Sequence, residues 1–405
     1  MRAAFATFPT RQGAVRMRVA VVTPTYAPST GGAELYHQRV AEHLALTANV
    51  LVLTADLNLQ LGAARTDRAV AGGPKREIEV RYLPSVRLLG ERFLLPWSLW
   101  RAISRFQPDV VLTSHPSLTG DTAGLLCLVR GTPWFATYHG DLNVGRFYTA
   151  GFSWWEARVL RRTRTILVHS DGVRDQLVAR GLAPDRVRAV TPGPGWGGGT
   201  PPPSVDAAAP TRPGPEHPFL FVGGLDRARA YKQPEILLRA LARLRGGGVA
   251  ASAWIVGDGD RRAQLEHEAA QLGLSNAVLF LGRLSEVELA SRYQRAWALV
   301  LPSTGSEGFG LVTLEALHFG CPSIVSSAVG AAPTLLREGC AVSFDADRME
   351  SLVEIMRSLW TDVDRRAELA RRARLASTHY TWESAFPQIE ETIASAGRTG
   401  ARGGM

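Results

Sequence analysis

The sequence is poor in cysteine, nearly empty of lysine and free of long apolar runs, and each shortage excludes something. Among 405 residues only Cys127, Cys321 and Cys340 are cysteines. They form no Cys-x-x-Cys pair and cannot all pair with one another. That argues against a disulfide scaffold and a zinc ribbon, and it fits a reducing compartment. No apolar run approaches the roughly 18 residues that a membrane span requires. The richest stretch, Leu88 to Trp100, is cut by Glu91, Arg92 and Pro96, which argues against an integral membrane protein. Lys75 and Lys232 are the only lysines, so arginine supplies the other 44 of the 46 basic residues, and the net charge is +9. A charge of that sign suits nucleic acid, a membrane surface or an anionic substrate. The arginines are spread along the chain rather than gathered in one arm, so no nucleic-acid partner is expected. High-GC coding, with its abundant Ala and Gly, accounts for the bias equally well.

What is present is ordinary globular material, 45% hydrophobic and 20% charged. Disordered, collagen-like and coiled-coil chains do not look like this. At roughly 100–200 residues per domain the length suggests two or three domains. Residues 1–16 form an N-terminal extension with three arginines and no acid, and no apolar core long enough for a signal peptide. Met17 opens a clear strand, so translation starting there is one reading and a short targeting arm the other. From there short apolar runs (Val19–Val22, Val50–Leu53, Val110–Leu112, Trp134–Ala136, Thr165–Val168) alternate with amphipathic stretches such as Ala33–Leu46 and Gly172–Arg180. This pattern predicts a doubly wound parallel sheet over residues 17–192.

Residues 193–217 are dense in Gly and Pro and read as a linker. Alternation resumes at Phe219–Val222 and continues through Ala253–Val256, Val278–Leu281, Ala298–Leu301 and Ser323–Val325, giving a second α/β domain over 218–378. A last helix and a Gly/Arg tail occupy 379–405. Two such domains and a hinge place the ligand cleft between them, at the carboxyl ends of the strands.

The sharpest segment runs from Pro302 to Ser323. The apolar strand Ala298–Leu301 is followed by a loop with Gly308 and Gly310, then by a helical pattern from Val312 to Phe319. Strand, glycine loop and helix N-terminus present unpaired amides that suit a phosphate. Glu307 precedes the helix and Glu315 lies eight residues on, about 12 Å away on nearly the same face. Two carboxylates bracketing an anion site could hold the hydroxyls on either side of a diphosphate, a sugar on one and a ribose on the other. The plain alternative is that Glu307 only favours the helix N-terminus and Glu315 faces solvent.

Glu307, seven residues and Glu315, within Glu-Gly-Phe-Gly…Leu-Glu-Ala-Leu…Gly-Cys-Pro, resembles the signature of the retaining glycosyltransferases of family 4, which have the GT-B fold. Matches to that family recur in order: Thr25 to Glu34, Thr137-Tyr-His139-Gly-Asp141, His169-Ser170, Phe221-Val-Gly-Gly-Leu-Asp with Lys232, Ile255-Val-Gly-Asp-Gly, and Phe280-Leu-Gly-Arg283. The resemblance covers nearly the whole chain from Met17. It implies two Rossmann-like domains facing across a cleft, an acceptor-binding one followed by one that binds the nucleotide sugar.

The resemblance also implies roles. Gly31 and Gly32 would approach the donor closely, although they lack the spacing of a dinucleotide site. Glu34 is favoured in a first helical turn for capping alone. His139, with Asp141, would stand near the reacting carbon. Lys232 would meet the distal phosphate, and Glu307 the sugar hydroxyls. Gly223, Gly257, Arg283, Gly308, Phe309, Gly310, Leu311 and Glu315 complete the expected donor site. Gly224 stands where the family usually carries an arginine, which leaves Arg227 or Arg229 to supply that charge, and Gln233 replaces the usual glycine after the lysine. His115, after the strand Val110–Leu112, is the acceptor-side candidate.

Asp258-Gly-Asp260 looks like a metal motif of another transferase fold but reads here as a turn after a strand. With no His/Cys/Asp cluster at ligand spacing, no obligate metal or cofactor is expected beyond a UDP- or GDP-sugar co-substrate. The expected reaction is sugar transfer with retention to a hydroxyl or amine of a glycan, lipid-linked or small-molecule acceptor in the cytoplasm. Epimerase or phosphorylase chemistry, or nucleotide-sugar binding without turnover, are the rivals. Two aromatic–basic stretches, Arg92 to Phe106 and Phe152 to Arg162, read either as ordinary helices or as surfaces resting on anionic lipid at the inner membrane face, and the first could also line an acceptor pocket, since it lies in the half that resembles an acceptor-binding domain.

Overall fold

A computed structural model of the chain describes residues 16–27, 29, 31–55, 65–70, 77–88, 91–140, 153–196, 210–304 and 307–400. Asp141, most of the N-terminal extension, the middle of the expected linker and the last five residues lie outside them. The chain divides into two compact units. The first comprises Met1–Val168, Arg174–Val190 and Glu383–Met405, and the second His169–Val173 and Thr191–Trp382.

The first unit is built on an eight-stranded sheet in the order β10-β9-β8-β7-β1-β2-β4-β3. The strands are β1 (Arg18–Val22), β2 (Asn49–Ala55), β3 (Arg65–Val70), β4 (Glu77–Leu83), β7 (Val110–His115), β8 (Trp134–Tyr138), β9 (Thr165–Val168) and β10 (Val187–Ala189), with β5 (Ser85–Leu88) and β6 (Glu91–Leu94) forming a separate hairpin. All pairs in the large sheet are parallel except β3 with β4. Its helices are α1 (Gly32–Leu44), α2 (Pro96–Phe106), α3 (Leu118–Arg130), α4 (Ser153–Leu160) and, from Arg174 onward, α5 (Asp171–Ala179). Strands β1, β7 and β8 are buried nearly end to end, as a sheet covered on both faces requires.

The second unit holds six parallel strands in the order β13-β12-β11-β14-β15-β16. These are β11 (Phe219–Val222), β12 (Ala253–Val256), β13 (Val278–Gly282), β14 (Ala298–Leu301), β15 (Ser323–Ser326) and β16 (Ala341–Phe344). Helices α6 (Pro234–Gly246), α7 (Arg262–Gln271), α8 (Glu286–Arg295), α9 (Leu311–His318), α10 (Ala332–Arg337), α11 (Met349–Thr361) and α12 (Val363–Ser377) pack around it. One face carries Phe219, Phe221, Leu237, Leu241, Ile255 and Trp297 in a continuous core.

The last helix, α13 (Trp382–Gly400), belongs to the first unit from Glu383 onward. Phe386 stacks on His43 at 3.8 Å, and Glu390 sits 2.9 Å from the His43 ring nitrogen. Arg188 donates to Glu391 and Thr392.

In both large sheets the chain leaves the middle strand in two directions, from β1 to β2 and β7, and from β11 to β12 and β14. Doubly wound sheets bind ligands at such switch points, outside the carboxyl ends of the strands. The strand ends β1, β7 and β8 in one unit, and β11 and β14 in the other, are therefore where the site residues should gather.

Candidate active site

Strand β11 ends at Val222 and runs into Gly223 and Gly224. A Cβ on Gly223 would lie 2.8 Å from Cδ of Lys232, and one on Gly224 2.7 Å from Cδ of Arg229. The stems of a lysine and an arginine therefore lie across two glycines. A 3-10 helix, Arg227–Lys232, folds them back over the strand end. Asp226 caps it, accepting from the Arg229 amide at 3.0 Å and from its guanidinium at 2.6 Å. Gly257, after β12, has φ +134°, and a Cβ there would stand 1.8 Å from the Gly223 carbonyl oxygen. Only glycine permits so close an approach of two strand ends.

The loop after β14 faces this cradle. Glu307 accepts from Lys232 Nζ at 2.5 Å through Oε1 and from the Ser303 hydroxyl at 2.8 Å through Oε2. Ser303 is wholly buried, and its carbonyl accepts from the Ser326 hydroxyl on β15. The Lys232 and Glu307 side chains are each only 11% exposed. Burial works to lower the Lys232 pKa, but Glu307 and Tyr231 outweigh it and the net shift is upward. The lysine is thus a held cation at neutral pH.

Gly308, Phe309 and Gly310 then lead into α9. Gly310 caps the helix in the left-handed region, φ +77°. The amides of Leu311 and Val312 open the helix at its positive end, where no carbonyl lies a turn behind them within the helix, while the Thr313 amide already donates to the Gly310 carbonyl at 2.8 Å. The Phe309 ring is core, packed with Leu301, Leu314 and Tyr380, and the Leu311 side chain packs against the same cluster. What these two expected donor-site residues offer a ligand is therefore backbone.

Glu315 is buried rather than solvent-facing. It accepts from the Tyr293 hydroxyl at 2.7 Å and from the backbone of Gly195. Tyr293 is itself walled by Trp196 and Phe319. Burial pushes the Glu315 carboxyl up to about 7, against the pull of the Tyr293 hydrogen bond.

The two candidate replacements for the arginine missing at Gly224 are separated by geometry. Arg229 lies over Gly224, whereas the Arg227 side chain is 86% exposed and paired with Asp260 at 3.6 Å. Arg283 follows β13, the edge strand two places from β11, and is exposed.

In the first unit, α1 starts on Gly31 and Gly32 after β1. Glu34 accepts from the Thr25 hydroxyl at 2.8 Å, tying that loop to the first turn. His139, after β8, is half-buried, with its ring 5.3 Å from Tyr36 and 4.8 Å from His37. His37 was not singled out by sequence, and its only signal is that it shares the inward helix face with Val40, Ala41 and Leu44. Its Nδ1 lies 2.8 Å from the Ala33 carbonyl, which can only accept, so Nδ1 carries the proton. Burial lowers its pKa to about 4 and keeps it neutral.

The acceptor-side expectation for His115 needs correction. The ring is wholly buried, 2.9 Å from Thr113 Oγ1 and 3.4 Å from Asp121. Helix α3 closes over it so tightly that a Cβ on Gly120 would lie 2.9 Å from its Nε2. Such a ring supports the strand end and does not meet a ligand from solvent. Among the described residues no three His, Cys, Asp or Glu side chains group as a metal site would.

The family model described as Glycosyltransferase Family 4 matches residues 30–193, and that described as Glycosyl transferases group 1 matches residues 208–376. A relative named D-inositol 3-phosphate glycosyltransferase 1, from Catenulispora acidiphila, is 27% identical over 427 residues, covering 95% of this chain and 97% of its own. Among solved structures, sucrose-phosphate synthase from Thermosynechococcus elongatus superposes with a TM-score of 0.70 at 19% identity, over 94% of this chain and 99% of that one. Anabaena Alr3699/HepE in complex with UDP-glucose gives 0.68 at 17%, over 94% and 100%. The two Rossmann-like units are those of a GT-B glycosyltransferase. The chain belongs to glycosyltransferase family 4, and it is an enzyme of the transferase class.

Proposed function

We propose that the enzyme transfers a hexose from a UDP- or GDP-sugar to an acceptor hydroxyl with retention of anomeric configuration, without a metal, at the cytoplasmic face of an anionic membrane. The observation that carries the donor half is the Lys232–Glu307 pair seated over Gly223 where β11 and β14 part, beside the amides of α9. Glu315 takes the ribose hydroxyls. Glu307 takes sugar hydroxyls, and Lys232, Arg229 and the helix amides take the diphosphate. The bond from the anomeric carbon to the phosphate oxygen breaks, and its electrons go to the diphosphate, whose growing charge the cations stabilise. The acceptor oxygen attacks from the face the phosphate leaves, and its proton passes to the departing phosphate oxygen. His139, with Asp141, orients the sugar.

A relative named for D-inositol 3-phosphate makes phosphorylated polyols the first acceptors to try. The alternative of nucleotide-sugar binding without turnover is tested alongside. A thermal-shift panel of UDP, GDP, ADP and TDP with their sugar conjugates is run on the native enzyme, Lys232→Ala and Glu315→Ala. One base should raise the melting temperature in a concentration-dependent way, and both variants should lose most of that rise. No shift with any nucleotide in folded protein overturns the reading. A shift with no product under any acceptor favours binding alone.

A further inference from the structure

Helix α2 carries Trp97, Trp100, Arg101 and Arg105 on one exposed stripe at three- and four-residue spacing, with Trp97 67% exposed. Its opposite side, Leu99, Ala102 and Ile103, is core. Helix α3 repeats the arrangement with Leu125, Leu128 and Val129 outward, Val129 at 77%. The two stripes adjoin. Arg130, at the end of α3, places its guanidinium 5.3 Å from the centre of the Trp100 ring and donates to the Ser104 hydroxyl of α2 at 2.8 Å. No acid lies among them: α2 has none, and the one acid of α3, Asp121, is buried.

Large apolar side chains left in water at this density mark an interaction surface, and the chemistry of the rim says which kind. The exposed charges carried by these two helices are all arginine, and beside two tryptophans they match the boundary of an anionic bilayer. There the indoles sit at headgroup level, apolar groups reach the acyl boundary and guanidinium groups stay with phosphate.

We propose that the outer face of α2 and the C-terminal half of α3 is a docking surface for an anionic lipid bilayer. This deepens the membrane placement proposed above and does not depend on the donor site. The test is flotation of the full chain with vesicles of phosphatidylcholine alone or mixed with phosphatidylglycerol, without nucleotide. The enzyme should float with the mixed vesicles only. Trp97→Ala/Trp100→Ala and Val129→Glu should each cut partitioning about tenfold or more. Arg101→Glu/Arg105→Glu should do the same and flatten the salt dependence.

All of these positions are at the surface, so circular dichroism should show intact folds, and the nucleotide-induced thermal shift should be unchanged. Failure to float with either vesicle, or flotation that Val129→Glu leaves intact, overturns the proposal. So does a native dimer that Val129→Glu converts to monomer without vesicle binding, which would assign the face to a second copy. Loss of the nucleotide shift in the native enzyme with flotation intact would sink the donor reading and leave this surface standing.

Discussion

At the scale of single residues, Glu315 carries two pH effects of opposite sign. Its folded pKa, about 7, lies above the unfolded value of 4.5 because burial disfavours the charge. Between those values the folded protein holds the extra proton, so stability is full at acid pH and falls as pH rises through about 7. At full ionisation the loss is on the order of 3 kcal/mol. In the proposed donor site the ribose hydroxyls would donate to the ionised form, so affinity should run the other way. Nucleotide affinity measured by calorimetry should rise from pH 6 to 8 as the melting temperature of the free enzyme falls, and Glu315→Gln should flatten both. Parallel trends would detach the carboxylate from the ribose.

Arg229 gives a second residue-scale prediction. Its removal should weaken nucleotide binding about tenfold, as loss of one charge-assisted contact does, whereas Arg227→Ala should change it less than about twofold, as an exposed pair would. Gly224→Arg alone should disturb the cradle, because its Cβ meets the Arg229 stem. In the Arg229→Ala background it should restore affinity, since the stem that blocked it is gone and Asp226 Oδ2, 2.9 Å from that Cβ, loses the guanidinium that holds it there. The sequence could not choose between Arg227 and Arg229, which are two residues apart and alike in type. The choice follows from which stem lies across a glycine. Likewise Lys232 and Glu307 were each legible alone, but the bond between residues 75 apart was not.

At the scale of elements, legibility followed composition. Thr165–Val168, Phe219–Val222, Ala253–Val256 and Ala298–Leu301 are strands with those bounds, because a strand buried on both faces is a continuous apolar run that polar flanks delimit. Strands β3 and β4, the hairpin β5–β6 and the short β10 were missed. Arg65–Val70 and Glu77–Leu83 are rich in charge, and an antiparallel edge pair needs no such run. Helix α3 hid for another reason, since its apolar outer stripe blurs the amphipathic contrast, whereas α2 fell inside the aromatic–basic stretch Arg92 to Phe106.

One element depends on a single buried cation. Arg366 of α12 donates to the carbonyls of Trp297, Ala296 and Pro210, and its guanidinium lies 5.0 Å from the centre of the Trp297 ring. Three carbonyls meet a planar fork that lysine cannot imitate. Both Arg366→Ala and Arg366→Lys should cost about 3 kcal/mol or more in urea unfolding, with lysine recovering little of the loss. Full rescue by lysine would mean that charge rather than the fork is what matters.

At the scale of the whole molecule, the proposed donor groups and the C-terminal latch belong to different units. Arg229, Lys232, Glu307 and Glu315 all fall within Thr191–Trp382, while α13 from Glu383 closes on His43 and Arg188 of the first unit. The sequence showed a last helix but not its destination, because its partners are about 200 and 350 residues away in the chain. The separation makes a prediction that hydrogen exchange can read segment by segment. In the full chain, nucleotide should slow exchange across the strand end and 3-10 helix of residues 219–233 and across residues 308–316. Deleting the chain from Glu383 should speed exchange in α1 and β10, which lose the His43 stack and the Arg188 ion pair, because local opening tracks the contacts that oppose it. The nucleotide-dependent slowing in the second unit should survive the deletion. If it vanishes while β11 to β16 stay protected, the donor is not held by the second unit's own groups, and the roles given to Lys232 and Glu315 would have to be shared with the first.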